Sequence, residues 1–283
     1  MTRNRTRSFR LRGRKVHVLR PALVLFITAF VLGCVPGFGQ NVPARDQTAL
    51  SLLQQCSTAS GVDAGLVPDI VAEGSLIPAN AKSPSGSLVL KSKGFDQARA
   101  EYTFGAKQEV HVVNRGRGFA VRENQKSDLA LHLTQYSRPE HLPGVLCTVD
   151  MGRPNVEIKY VGVESVRGTS AHHILFQAVA PPIKNAESLA EAQHLFDPLI
   201  SNFELFLDTQ TLLVVKTSTF AFSPDAIQNR SVWETYYSDY RRVGATVLPY
   251  RMEHYIAGSK LDEVTFSSIR TDIAVSANDF ESQ

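Results

Sequence analysis

Phe203-Glu204-Leu205-Phe206-Leu207-Asp208, followed by Thr209-Gln210-Thr211 and then Leu212-Leu213-Val214-Val215, decides the fold. An apolar run of strand length meets a polar turn and is answered by a second run, Leu212 to Phe222, which is the pattern of an antiparallel pair. Three more strands follow: Val232 to Tyr240, Val247 to Ile256 and Leu261 to Arg270, with Gly244 and Gly258 in the turns. Connections this short make sequence neighbours pair side by side.

The same grammar appears upstream. Ala98, Ala100, Tyr102 and Phe104 take one face of an extended segment while Arg99, Glu101 and Thr103 take the other, as a half-buried strand requires. Leu88 to Lys91 and Glu109 to Val113 flank it, so the chain opens as a meander. Before that, Asp46 caps a helix through Leu50, Leu53 and Cys56 that stops at Gly61, because apolar residues recur there at three and four positions. The middle is less regular. Ser127 to His132 and the stretch around Glu140-His141 read as short helical or irregular pieces limited by Pro139 and Pro143, Val156 to Tyr160 and Ala171 to Ala178 as strands, and Asn185 as the cap of a helix through Leu189, Ala192 and Leu195. The expected class is mainly β with a few helices (α+β), in one domain over 41–283.

Residues 1–40 read as an export segment. Eight basic residues from Arg3 to Arg20 precede an apolar run from Pro21 to Gly33 that is broken by Pro36, Gly37 and Gly39, the layout of a secretory signal and shorter than a membrane span. Two processing routes compete: ordinary cleavage near Gln40, or lipidation of Cys34 within Val31-Leu32-Gly33-Cys34, which would tether the protein to a membrane. The expected location is periplasmic or secreted, in a bacterium.

Removing that segment inverts the charge. The full chain has 30 lysines and arginines against 27 acids; all eight bases of the segment leave with no acid, so 22 bases face 27 acids, a net charge of −5. The pI near 8.7 is a property of the precursor, and a nucleic-acid partner is excluded. Besides Cys34 the chain has only Cys56 and Cys147. An oxidising compartment allows them to pair, while the inward face of a helix also suits a buried free Cys56.

Catalytic motifs are missing. No Gly-x-Ser-x-Gly elbow occurs, and Gly116-x-Gly118 lies between strands with no helix after it, where a hairpin turn is the plain reading. His172 and His173 are adjacent on a strand and point to opposite faces, one of them toward solvent, so they cannot grip one ion. Carboxylate pairs such as Glu187 with Glu191 and Asp262 with Glu263 read as solvated charge. Neither metal, cofactor nor enzymatic activity is expected. What remains is apolar and aromatic mass on strands, which either packs a core or lines a cavity.

The strands Leu205-Phe206-Leu207-Asp208 and Thr211 to Val215, then Tyr237-Ser238-Asp239-Tyr240, Arg242-Val243, Val247-Leu248-Pro249-Tyr250-Arg251 and Glu263-Val264-Thr265-Phe266, resemble the outer-membrane lipoprotein-sorting (LolA/LolB-like) superfamily. They are most similar to exported members from soil bacteria. The opening helix Ala49 to Gln55 and the meander Lys93-Gly94-Phe95 to Tyr102 carry the resemblance toward the N-terminus. It implies a strongly curved antiparallel sheet, an incomplete β-barrel covered by helices, whose apolar inner surface holds acyl chains without a cofactor. Tyr102, Phe104, Tyr160, Leu205, Leu207, Tyr250, Met252, Val264 and Phe266 are the lining residues so implied, and Arg99 the residue that holds the helical lid. The implied partner is a lipid or acylated protein met by a monomer. The competing expectation is a structural or protein-interaction domain of the same fold with a filled core.

Overall fold

The computed structural model describes residues 43–62, 68–129, 142–149, 155–179, 202–223, 226–271 and 273–281, all within the unit Asn41–Gln283. The export segment with Cys34 and the helix expected after Asn185 lie outside the described residues.

Helix α1, Gln47–Ser60, begins where the sequence placed it. The Asp46 carboxylate accepts from the backbone N–H groups of Thr48 and Ala49 at 2.7 and 3.1 Å, satisfying two of the donors that every helix start leaves over. It ends at Gly61, left-handed at φ 65°, a conformation glycine adopts without cost.

Among the described residues, thirteen strands form one antiparallel sheet. In chain order they are β1 Ile70–Pro78, β2 Gly86–Lys93, β3 Gln97–Phe104, β4 Lys107–Asn114, β5 Arg117–Arg122, β6 Gln125–Asp128, β7 Val156–Val166, β8 Thr169–Ala178, β9 Phe203–Asp208, β10 Val214–Ser223, β11 Ala226–Val243, β12 Thr246–Ile256 and β13 Ser259–Thr271. Their spatial order is β6-β5-β4-β3-β2-β1-β13-β12-β11-β10-β9-β8-β7. Every pairing joins strands that follow one another in sequence except at one seam, where β1 pairs with β13. The sheet ends at β6 and β7 and does not close into a barrel. The mainly β class and the open antiparallel sheet are as expected from sequence.

A sheet this wide does not stay flat. Arg167, in the turn between β7 and β8, contacts Glu253 on β12 at 2.5 Å, whereas four strand spacings in a flat sheet amount to about 19 Å. Twist must therefore swing the β7–β8 hairpin across the sheet. The main core is continuous from Leu88 on β2 to Ile158 on β7, and α1 buries Ala49, Leu52, Leu53 and Cys56 in it.

Three readings of the less regular parts take definite form. Ser127 and Asp128 are extended in β6 rather than helical; the strand is fully exposed, so it has no alternation to betray it. Val145 closes a single 3-10 turn, Pro143–Val145, that continues into α2, Leu146–Val149, with Pro143 at the start where its missing N–H costs nothing. Cys56 is not a free thiol: it is bonded to Cys147, 91 residues away, which ties α1 to α2.

Candidate functional site

The inner face of the sheet is the one against α1, and alternation assigns its residues. On β12 Leu248, Tyr250 and Met252 are buried on it, on β13 Val264 and Phe266, and on β9 Phe203, Leu205 and Leu207. Cross-strand register lines them up: Tyr160 stands opposite Ile174, Ile174 opposite Leu205, Tyr237 opposite Met252 and Met252 opposite Val264. Eight of the nine lining residues named from sequence thus meet in one cluster, six of them buried and Tyr102 and Tyr160 half-buried against it. Phe104 stands outside that cluster, its ring 6.3 Å from that of Tyr102 and lying where a Cβ on Gly86 would meet it at 2.6 Å.

Burial is uneven along this face. Under α1 and α2 it is complete, with Leu53, Val145, Leu205 and Leu207 all at 0% exposure. On β1, β2 and β3 it becomes mixed: Ile70, Ala72 and Leu88 stay buried, while Leu76, Leu90, Ala100 and Tyr102 are only partly buried. One continuous apolar surface therefore runs from a sealed half to a half-open one.

Arg99 does not hold a helix on this face. It points to the opposite face, where its guanidinium bonds Glu101 at 2.6 Å and donates to the carbonyl of Asp279 at 3.2 Å. Residues 273–281 form a strap across the back of β1 to β5, where Val275 and Phe280 pack on Val71, Val110, Val112 and Phe119. Lys91 pairs with Asp279 at 2.7 Å, and Lys93 donates to the carbonyl of Val275 at 3.0 Å. The bond from Lys91 holds the Asp279 carboxyl below its ordinary value. Alternation puts Arg99 opposite Tyr102 and Ala100; what covers that second face is not readable locally, because the strap comes from the far end of the chain.

The two adjacent histidines do take opposite faces, but neither is exposed. The His172 ring nitrogen lies 3.1 Å from the Tyr160 hydroxyl, and His173 stacks on Phe206 at 4.3 Å with Glu164 at 2.8 Å. Asp262 and Glu263 also part company: Asp262 turns inward to His254 at 2.6 Å, so it is not the solvated charge expected from sequence. Glu263 turns outward to Arg251 and Lys260 at 2.7 and 2.8 Å, and these bonds, the Arg251 one foremost, pull its pKa down to about 2. Beside it, Arg167 lies 3.6 Å above the Tyr236 ring and 4.7 Å from the Tyr255 ring. Burial would raise the Glu253 carboxyl, but Lys260 and Arg167 outweigh it and hold the group below its ordinary value. This outer network joins β11, β12 and β13 to the β7–β8 turn; sequence reading missed it because its members lie on separate hairpins. Among the described residues no three His, Cys, Asp or Glu side chains gather closely enough to hold a metal ion.

No family model and no curated protein matches the sequence. Solved structures do. A LolA superfamily protein from Nitrosomonas europaea superposes with a TM-score of 0.52 at 10% identity, over 83% of this chain and 97% of that one. The fold is that of the LolA superfamily. A DUF1329 family protein from Desulfovibrio piger ATCC 29098 gives 0.51 at 12% identity, over 83% of this chain and 96% of its own. The resemblance read from the C-terminal strands thus holds at the level of the fold, and the shared fold spans nearly the whole of each matched structure. Among the described residues no helix is long and apolar enough to cross a membrane.

Proposed function

We propose that this chain is a non-enzymatic binding protein that works after export and holds an acyl chain, from a lipid or an acylated protein, against the inner face of its open sheet. The observation that carries the reading is the gradient of burial on that face: the apolar surface sealed beneath α1 continues to Leu76, Leu90, Ala100 and Tyr102, which the described residues leave partly open. Each methylene laid on such a surface contributes about 0.8 kcal/mol, so a long chain binds without any specific polar contact or cofactor. The test is native mass spectrometry of the domain 41–283 purified gently from a bacterial periplasm, followed by lipid extraction. A stoichiometric acyl-bearing species supports the proposal. An apo mass, with no uptake of a fluorescent fatty acid or monoacylglycerol, sinks it.

That negative result would favour the second reading, a protein-interaction domain. Val161 and Val163 are 51% and 56% exposed on the edge strand β7, and an edge that keeps apolar side chains in water is a template for an added strand. Crosslinking in the periplasm would then recover a partner protein through β7.

A further inference from the structure

Among the described residues, the inner face carries a polar row between its apolar ones. In register across four neighbouring strands stand Thr217 of β10, Thr235 of β11, His254 of β12 and Asp262 of β13. The side chains of His254 and Asp262 are 10% and 15% exposed, and Thr235 is buried. Thr235 accepts a hydrogen bond from the indole nitrogen of Trp233 at 3.2 Å, and the Trp233 ring lies 5.5 Å from that of His254. The next row is apolar, Leu76 opposite Val264 and Val264 opposite Met252; Val264 and Met252 are buried, and Leu76 joins the row to the half-open surface. Packing alone would fill the polar row with valine or leucine, since groups of this kind are costly to bury.

We propose that this row is the polar anchor of the acyl site, and that it selects lipids whose head presents a hydroxyl, as a monoacylglycerol does, over free fatty acids. The proposal rests on the acyl-binding reading above. Its chemistry follows from what the row offers. Asp262 bonds His254 through one carboxylate oxygen and has a second oxygen with which to accept. Thr235 uses its oxygen to accept from Trp233 and, as a hydroxyl, also carries a proton to donate. A hydroxyl both gives and takes a hydrogen bond and fits such a pair. A fatty-acid carboxylate placed there would bring a second negative charge against Asp262 in a poorly hydrated site, where like charges repel strongly.

Trp233 is the single tryptophan of the chain, so its fluorescence reports on this row directly. The delipidated protein is titrated at pH 8 with monopalmitoylglycerol and, separately, with palmitate, both below micelle formation. The expected result is a Trp233 response to both lipids, with monopalmitoylglycerol bound at least about tenfold more tightly. Asp262→Asn should bind both and lose the preference. Thr235→Val should weaken monopalmitoylglycerol and leave palmitate unchanged, which a merely structural role would not do. Equal affinities in the unsubstituted protein, or a preference that survives in Asp262→Asn, overturn the anchor while the acyl-binding reading stands. Binding of neither lipid overturns both.

Discussion

At the scale of single residues, two positions carry consequences that can be measured. Gly61 ends α1 at φ 65°, and a methyl group there would run into the carbonyl of Ala245 in the β11–β12 turn. Gly61→Ala combines a left-handed non-glycine residue with a backbone collision, so we expect it to lower stability by about 1–3 kcal/mol, read as a fall in Tm. Glu263 gives a pH signature. A carboxyl held at about 2 instead of its ordinary 4.5 contributes stability that is complete above 4.5 and is lost as the pH falls toward 2. Glu263→Gln should therefore flatten the loss of Tm between pH 4.5 and pH 2, while leaving its pH dependence near neutrality as it was. Asp46 and Gly61 were legible in sequence because a cap is a local event, decided within four residues. The role of Arg99 was not, since its partner Asp279 is 180 residues away.

At the scale of elements, the disulfide between Cys56 and Cys147 joins a fourteen-residue helix to a four-residue one. So short a helix as α2 has little stability of its own, and the crosslink restricts the unfolded chain over a long loop. Cys147→Ser should cost about 2–5 kcal/mol, and reduction of the unsubstituted protein should bring its Tm down to that of the variant. Strands were readable where one face alternates, as in β3 and β12, and even their registers follow from the turns. β1 escaped notice. Glu73, Gly74 and Ser75 interrupt its apolar pattern, and the pairing with β13 shifts at Gly74, so no clean period of two survives. β11 runs from Ala226 to Val243, well beyond the stretch Val232 to Tyr240 marked by its aromatics, because strand pairing tolerates polar residues that a hydrophobic pattern cannot detect.

At the scale of the whole molecule, the inner face separates packing from the proposed binding. Leu205 lies fully buried beneath the helices, whereas Leu90 is only partly covered. Leu90→Asp should abolish uptake of a fluorescent acyl probe while the domain still melts cooperatively; Leu205→Asp should prevent folding, since it places a charge where no water reaches. A Leu90→Asp variant that binds the probe as well as the unsubstituted domain does would place the ligand elsewhere. Most residues of the apolar cluster were visible in sequence as a set, because mass and alternation mark a shared face. Which of them stay accessible was not visible, because that depends on where α1 lands. The seam between β1 and β13 has a different kind of consequence. Every other pairing joins strands that follow one another along the chain, whereas Ile70 must wait for Thr271. During synthesis, the meander β1–β6 and the meander β7–β12 can each form as they emerge, yet they remain two separate leaves until the thirteenth strand arrives to stitch them. The thirteenth strand is thus the hinge pin of the sheet, and a nascent chain stalled before Ser259 presents four sheet edges where the finished sheet has two.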